Sequence, residues 1–170
     1  MLKGQKPTPI EDFKKHLSSA TDIDWARLAA FIDGEGTIYI NRYRAGSIHK
    51  TQLHRLSVSI KNSSVLLMAW LTGTFGGSVS QDKGKNVLAR LPIYQWRLNE
   101  LQAEVVLAKC LPFFVIKREQ AEIGIAFRSL KSSGRRGQAV SEDVLRQRDA
   151  FRDRIHLLNS PSLKKAINQE

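Results

Sequence analysis

An acidic residue follows a series of small residues in the segment LAAFIDGEG, residues 28–36. Ala26, Ala30 and Gly34 lie four residues apart, so on a helix they form one stripe of small side chains. Such a stripe allows two helix backbones to approach closely, and Glu35 follows directly after it. Pairing two copies of this helix would bring two Glu35 carboxylates together. Like charges at that distance repel unless cations lie between them.

Paired carboxylates that hold hard divalent cations are suited to phosphodiester hydrolysis. One ion activates a water molecule and another stabilises the leaving oxygen. An alternative is that residues 33–36 form only a turn from a helix to a strand, with Glu35 exposed and without a chemical role. The tetrapeptide alone favours the turn, and the nine-residue context changes that balance.

The charge of the chain indicates a polyanionic partner. The 170 residues carry a formal net charge of +11, and the pI is near 10.1. Residues 36–98 contain nine basic residues and one acidic residue, Asp82, a net charge of +8. A basic surface without a partner is the alternative, and the secondary structure of this stretch argues against it.

Length and composition indicate one globular domain. Apolar residues make up 42% of the chain and charged residues 25%. We assign residues 1–22 to an N-terminal arm, 23–160 to the domain and 161–170 to a C-terminal tail. The sequence shows no membrane span and no secretory signal. The four histidines are scattered, so a zinc site has no support, and we expect His49 and His54 on an exposed face.

The cysteine count bears on the compartment. Cys110 is the only cysteine, so an internal disulfide is excluded, and we expect it to be a packing residue. We therefore expect an intracellular, reducing compartment. An organelle and a bacterial cytoplasm both remain open.

Hydrophobic periodicity predicts an α+β fold with the element order α-β-β-α-β-β-α, followed by C-terminal helices. A helix capped by Asp22 or Asp24 ends near 34–36, where the period changes from 3.6 to 2. Two strands follow, then a helix over 63–74 and a hairpin over 78–98 whose last strand Pro92 assigns to an edge or a bulge. Further helices are predicted over 100–109, 115–130 and 141–158. The sum is a four-stranded antiparallel sheet backed by helices.

One face of this sheet is predicted to bind double-stranded DNA. Leu56, Val58 and Ile60 alternate with polar and basic residues, so one face is core and the other is free. A two-stranded ribbon fits the major groove, where each base pair presents its own donors and acceptors. The candidate DNA-binding residues on these strands and their connections are Tyr39, Asn41, Arg42, Tyr43, Arg44, Arg55, Ser57, Ser59, Lys61, Lys83, Lys85, Gln95 and Arg97.

Residues 28–36 resemble the signature of the LAGLIDADG homing endonucleases, position by position in character. A second resemblance covers 111–121, LPFFVIKREQA, which is similar to the family segment that places a lysine beside the scissile phosphates. Asn62 and the turn at 75–77 are also similar to family features. The likeness extends over residues 25–130, and the length suits a member with a single motif.

The resemblance implies a site-specific endonuclease that cleaves both strands of a long DNA target and leaves short 3′ overhangs. It implies a concave DNA-binding sheet and Mg²⁺ held by Glu35 and the Gly34 carbonyl, with Mn²⁺ or Ca²⁺ able to replace Mg²⁺ in binding. Lys117 is then the lysine near the cleaved phosphate, and Asp33 braces the motif turn. The family's other polar pocket residues, near the end of the second strand, have no clear match, which leaves Lys61 as a weak catalytic candidate.

A single motif implies a homodimer. One chain supplies one acid, so two chains are needed to cut two strands, with Ala26, Ala30 and Gly34 at the interface. A twofold dimer reads a near-palindromic site. The alternative functions are an intron-encoded maturase, which would hold RNA on the same surface, and a DNA-binding protein that does not cleave.

Overall fold

The computed structural model describes residues 10–44, 52–82, 92–130 and 140–160. Its elements are α1 (Ile10–Ser19), α2 (Asp22–Glu35), β1 (Gly36–Arg44), β2 (Gln52–Asn62), α3 (Val65–Phe75), β3 (Ser78–Gln81), β4 (Tyr94–Asn99), α4 (Glu100–Cys110), a single 3-10 turn (Leu111–Phe113), α5 (Arg118–Ser129) and α6 (Glu142–Leu158). The four strands form one antiparallel sheet in the order β1-β2-β4-β3. The predicted α+β class is confirmed, and the predicted element order is found from α2 onwards, preceded by α1.

The core lies between one face of the sheet and the helices. Leu56, Val58 and Ile60 of β2 are fully buried there, and Ile38 and Ile40 of β1 join them. This is the alternation of period two that the sequence predicted for the inner face. Within the described ranges, no helix combines the length and the apolar character needed to cross a membrane.

The start of α2 differs in detail from the prediction. Thr21 is the N-cap, and its side chain accepts a hydrogen bond from the Asp24 amide while the Asp24 carboxylate accepts one from the Thr21 amide. This reciprocal pair is a capping box. Hydrogen bonds from Thr21 lower the pKa of Asp24. The cap therefore lies one residue before Asp22 and three before Asp24, the two predicted caps.

Helix α1 belongs to the packed unit, although the sequence analysis placed it in an arm. Phe13 is 2% exposed and part of the core, and His16 Nδ1 lies 2.9 Å from the Gly73 carbonyl oxygen of α3. The many Lys, Glu and Pro residues of this segment left little hydrophobic periodicity, so the burial of Phe13 was not predicted. The core therefore begins before residue 23, whereas residues 161–170 lie outside the described residues.

The second hairpin also differs from the prediction. Pro92 precedes β4, which lies inside the sheet between β2 and β3, so this strand is not at an edge. In the turn before β3, the backbone at Gly77 lies against β4. Gly77 has a φ of 87°, and a Cβ atom there would lie 2.7 Å from Leu98 Cδ2, so this position requires glycine.

Cys110 is a packing residue, and we expect its thiol to be unreactive in the native protein. It is fully buried, and burial raises its pKa to about 12. A disulfide reagent at pH 8 should label it only after unfolding in urea; fast labelling without denaturant would contradict this burial. Because the folded-state pKa lies above the unfolded value, stability should fall as the pH rises from about 9 towards 12.

Candidate active site

Glu35 ends α2 and lies beside the end of β2. Gly36 pairs with Ile60 across the sheet, so Asn62, two residues further along β2, reaches the motif turn. Asn62 Nδ2 donates a hydrogen bond to Glu35 Oε2 at 2.6 Å. The Asn62 Oδ1 accepts one from the Ser64 amide at 2.8 Å, which orients the side-chain amide with its donors towards the acid. An exposed carboxylate is thus held in place by one neutral donor.

The turn after Glu35 depends on a glycine. A Cβ atom on Gly36 would lie 2.6 Å from the Cα of Ile32 and 2.8 Å from its carbonyl oxygen. The clash would be with backbone, which cannot move aside as a flexible side chain can. Gly36 therefore allows β1 to begin in close contact with the last turn of α2. This start fixes the strand register that places Asn62 beside Glu35.

Asp33 attaches the loop before α5 to the end of α2. Its Oδ2 accepts hydrogen bonds from the amides of Val115 (2.8 Å) and Ile116 (3.2 Å), and its Oδ1 accepts one from the Lys117 amide (2.8 Å). Three donors to one carboxylate fix the loop strongly. This contact explains why α5 begins at Arg118 and not near residue 115 as the periodicity suggested. Residues 115–117 give their amides to Asp33.

The Lys117 side chain also connects this loop to the end of α2. Its Nζ donates to the carbonyl oxygens of Ile32 (2.7 Å) and Asp33 (2.5 Å), and the residue is 8% exposed. A cation is favoured at the negative end of a helix dipole, where carbonyls lack helical partners. The motif turn therefore combines the buried Lys117 ammonium and the exposed Glu35 carboxylate.

The stripe of small residues lies on the open side of α2. Ala30 and Gly34 are exposed, Ala26 is half-buried, and a Cβ added to Gly34 would contact nothing within 4 Å. The opposite side of the helix is the buried one, through Trp25, Leu28, Ala29 and Ile32. The spacing of four residues predicted from the sequence thus corresponds to an accessible stripe of small residues that ends at Glu35.

The polar face of the sheet carries an exposed basic and aromatic set. Asn41, Arg55 and Lys61 are exposed, and four more candidates, Tyr39, Tyr43, Gln95 and Arg97, are half-buried. Ser57 and Ser59 are on the same side of β2 but are only 1% and 5% exposed. β2 is an inner strand, so these two small side chains have a neighbouring strand on each side. Ser57 Oγ is also engaged as a donor to Asn99 Oδ1 at 2.7 Å.

No protein-family model matches the sequence, and no curated protein matches it. Solved structures resemble its fold. The homing endonuclease I-CvuI, in complex with the I-CreI target, is 17% identical with a TM-score of 0.66, over 81% of this chain and 83% of I-CvuI. The archaeal intron-encoded homing endonuclease I-Vdi141I, complexed with DNA, is 12% identical with a TM-score of 0.63, over 82% and 86%. The LAGLIDADG meganuclease I-AabMI, bound to uncleaved DNA, is 21% identical with a TM-score of 0.58, over 86% of this chain and 48% of I-AabMI.

The chain has the LAGLIDADG homing endonuclease fold. It covers about half of I-AabMI and most of I-CvuI, in agreement with the single motif in its sequence. Within the LAGLIDADG fold of this chain, residues 28–36 form the second half of α2 and the first residue of β1. The signature that carried the resemblance therefore contains the residues that Asn62 and Lys117 contact.

Not every candidate lies on the polar face. Arg42 shares a side of β1 with the core residues and lies 3.7 Å from Asp149 of α6. His54, expected on an exposed face, is 7% exposed and lies 2.8 Å from the same carboxylate through Nε2. Helix α6 covers this end of the sheet, which the strand pattern alone does not reveal. Lys83 and Lys85 lie outside the described residues, and Arg44 is the last residue of β1.

Asn62 is the polar neighbour of Glu35 that the sequence analysis assigned no role at the site. The adjacent Lys61 was the predicted residue there, but its Nζ forms an ion pair with Asp82 at 2.8 Å. Successive residues of a strand point to opposite faces, so Lys61 and Asn62 cannot both turn towards the acid. The pairing register, counted from Gly36, is the signal that would have found Asn62.

The donor set fits part of a Mg²⁺ site. Among the described residues no three histidine, cysteine or acidic side chains cluster as metal ligands. Both carboxylate oxygens of Asp33 accept backbone amides, which leaves the Glu35 carboxylate and the Gly34 carbonyl as ligands. Mg²⁺ requires six oxygens, of which several are usually water or phosphate. One chain offers only part of this set, so the remaining oxygens must come from elsewhere.

Proposed function

We propose that this protein is a site-specific DNA endonuclease that acts as a homodimer and depends on divalent metal. The observation that carries the proposal is the exposed Glu35 carboxylate. Asn62 holds it at the end of the accessible stripe of small residues on α2. Its fold neighbours are homing endonucleases solved with DNA. Bound Mg²⁺ would supply Lewis acidity and an activated water molecule.

Each residue of the turn has a distinct task in this proposal. Glu35 and the Gly34 carbonyl would hold Mg²⁺, and Asn62 holds one oxygen of the Glu35 carboxylate in place through its hydrogen bond. Lys117 supplies positive charge beneath the turn, where charge on a reacting phosphate would develop. The polar face of the sheet binds the duplex, and its basic residues make affinity fall steeply with salt.

The homodimer follows from the incomplete ligand set. A second copy related by a twofold axis would bring its own Glu35 to the same place, because the strip of small residues ends there. The two motif turns, each with its Glu35, would then face the two DNA strands, and the target would be near-palindromic. Mn²⁺ or Ca²⁺ is expected to replace Mg²⁺ in binding.

Ala30→Leu should break the dimer. Leucine would hold the paired α2 helices apart, whereas in a single chain Ala30 is exposed and the larger side chain has room. Sedimentation should show a shift from dimer to monomer with the unfolding midpoint nearly unchanged. Ala126→Leu, on the exposed side of α5, is the matched control and should stay dimeric. A dimeric Ala30→Leu protein would contradict this interface.

Cleavage of a plasmid library that carries random inserts tests the proposed activity. Purified protein should linearise a subset of plasmids with Mg²⁺ and none with a chelator. Binding without metal-dependent scission would favour the non-cleaving protein, and preference for structured RNA over duplex DNA would favour the maturase. A nonspecific DNA-coating protein would retain all inserts equally at moderate salt.

A further inference from the structure

Arg55 is held in place on the polar face by two neighbours. Its guanidinium carbon lies 4.6 Å from the centroid of the Tyr43 ring, and its Nη2 donates to the Tyr43 hydroxyl at 3.1 Å. On the other side, its Nε lies 4.0 Å from Glu100 Oε1. The side chain is still 44% exposed. These contacts reduce the rotamer freedom that a long surface arginine would otherwise lose on binding.

Glu100 is itself anchored and strained. Arg128 of α5 donates to Glu100 Oε2 at 2.5 Å and to Glu104 at 3.2 Å. Glu100 has a φ of 52°, which makes it the one non-glycine residue with positive φ among the described residues. Burial raises its pKa, against the opposing effect of the nearby arginines. Backbone strain at a partly buried charged residue points to a function for that residue.

We infer that Arg55 reads a guanine in each half of the DNA target, with Tyr43 and Glu100 as its positioning residues. This inference rests on the proposed function and adds a feature of the substrate. A guanidinium has five donors in a planar fork, so the contacts to Tyr43 and Glu100 leave donors for a ligand. The O6 and N7 atoms of guanine in the major groove form the acceptor pair that this fork fits best.

The position of Arg55 in the sheet favours a base over a phosphate. It lies on β2, an inner strand, opposite Asn41. The major groove is about 12 Å wide and strands are about 4.8 Å apart, so inner strands lie over base edges and outer strands lie closer to the phosphates. The Glu100 carboxylate beside Arg55 repels an anionic phosphate but does not repel the neutral acceptors of guanine.

The register also predicts where the guanine lies. Arg55 is five residues before Ile60, the partner of Gly36 at the motif turn. At about 3.3 Å per residue this separation is about 17 Å, or about five base pairs of B-DNA. A near-palindromic target should therefore contain one guanine on each side, about five base pairs outward from the motif turns.

Selection of bound duplexes from a random library, with the full chain, tests this inference. The wild-type protein should enrich guanine at the two symmetric positions. Arg55→Gln should lose that preference, keep the others, and bind the guanine-containing site about 10 to 100 times more weakly. Arg154→Gln, in an exposed pair with Glu119 on the helical side, is the matched control and should select the same sequences as wild type.

Glu100→Gln separates positioning from simple structural support. The Glu100→Gln protein should discriminate less between guanine and adenine. Its overall affinity for DNA should stay equal or rise, because a negative charge is removed. If Arg55→Gln instead weakens all duplexes equally and lowers the salt slope by about one, Arg55 contacts a phosphate and the inference is wrong. Wild-type selection of a sequence without the two guanines also overturns it. Selection of no sequence at all would instead reject the proposed site-specific function.

Discussion

Glu35→Gln is expected to abolish metal-dependent strand cleavage while DNA binding remains at the wild-type level. Glutamine has nearly the same size and retains an oxygen that can accept the hydrogen bond from Asn62. It removes the negative charge that would hold Mg²⁺. Because Glu35 is exposed, the substitution should leave the free energy of unfolding almost unchanged.

The expected loss of rate is large. A bound metal contributes several kcal/mol to the stabilisation of the transition state, and each 1.4 kcal/mol corresponds to a factor of ten. Cleavage should therefore fall by about a factor of 1,000 or more, measured as the first-order rate on a selected target with saturating protein. Glu122→Gln, at an exposed position of α5, removes the same charge away from the motif and should cleave normally.

Two results would contradict this assignment. Retention of cleavage by Glu35→Gln would mean that the acid is not a metal ligand. Loss of the folded structure, seen as a lower unfolding midpoint in urea, would mean that Glu35 is structural. A parallel binding measurement in Ca²⁺ separates the two, since only the structural case loses binding along with cleavage.

Local patterns predicted the elements of this fold well. Strand β2 alternates strictly, so its inner residues Leu56, Val58 and Ile60 could be identified before any coordinates. The helices predicted over 63–74 and 141–158 begin close to the observed starts of α3 and α6, whose N-caps are Ser64 and Ser141. Each of these signals lies within a few residues of the feature that it predicts.

Features that depend on distant contacts were predicted less well. A helix was predicted from residue 115, yet Asp33, more than 80 residues away, accepts hydrogen bonds from the amides of residues 115–117, and the helix begins only at Arg118. His54 alternates as a strand residue, but α6 supplies the carboxylate that covers it. Sequence periodicity contains no information on which distant element completes a hydrogen bond.

The active-site candidates divide in the same way. Glu35 and Lys117 lie in contiguous motifs, and both could be named from the sequence. The contact of Asn62 with Glu35 could be found only through the pairing of Gly36 with Ile60, because strand register decides which residue of β2 faces the motif turn. A shift of one residue would have placed Lys61 there instead.

Asp33→Ala should destabilise the protein by about 3 kcal/mol or more. Hydrogen bonds to charged groups contribute about 1.5 to 3 kcal/mol each, and the substitution leaves the amides of Val115, Ile116 and Lys117 without this acceptor. The melting temperature should fall by about 6 to 12 °C. Asp153→Ala, which removes only an exposed ion pair with Arg152, is the control and should cost less than about 1 kcal/mol.

Cleavage should fail in Asp33→Ala even at temperatures where the protein is folded. Asp33 connects α2 to the loop that presents Lys117, whose Nζ binds the carbonyls of Ile32 and Asp33. Without the Asp33 carboxylate, the loop backbone that holds the Lys117 ammonium beneath the motif turn is no longer fixed. Asp33→Asn should be intermediate, because its side-chain oxygen can accept from one part of the loop while its NH₂ group cannot accept from the other. A stable Asp33→Ala protein with normal cleavage would show that this connection has no part in positioning the site.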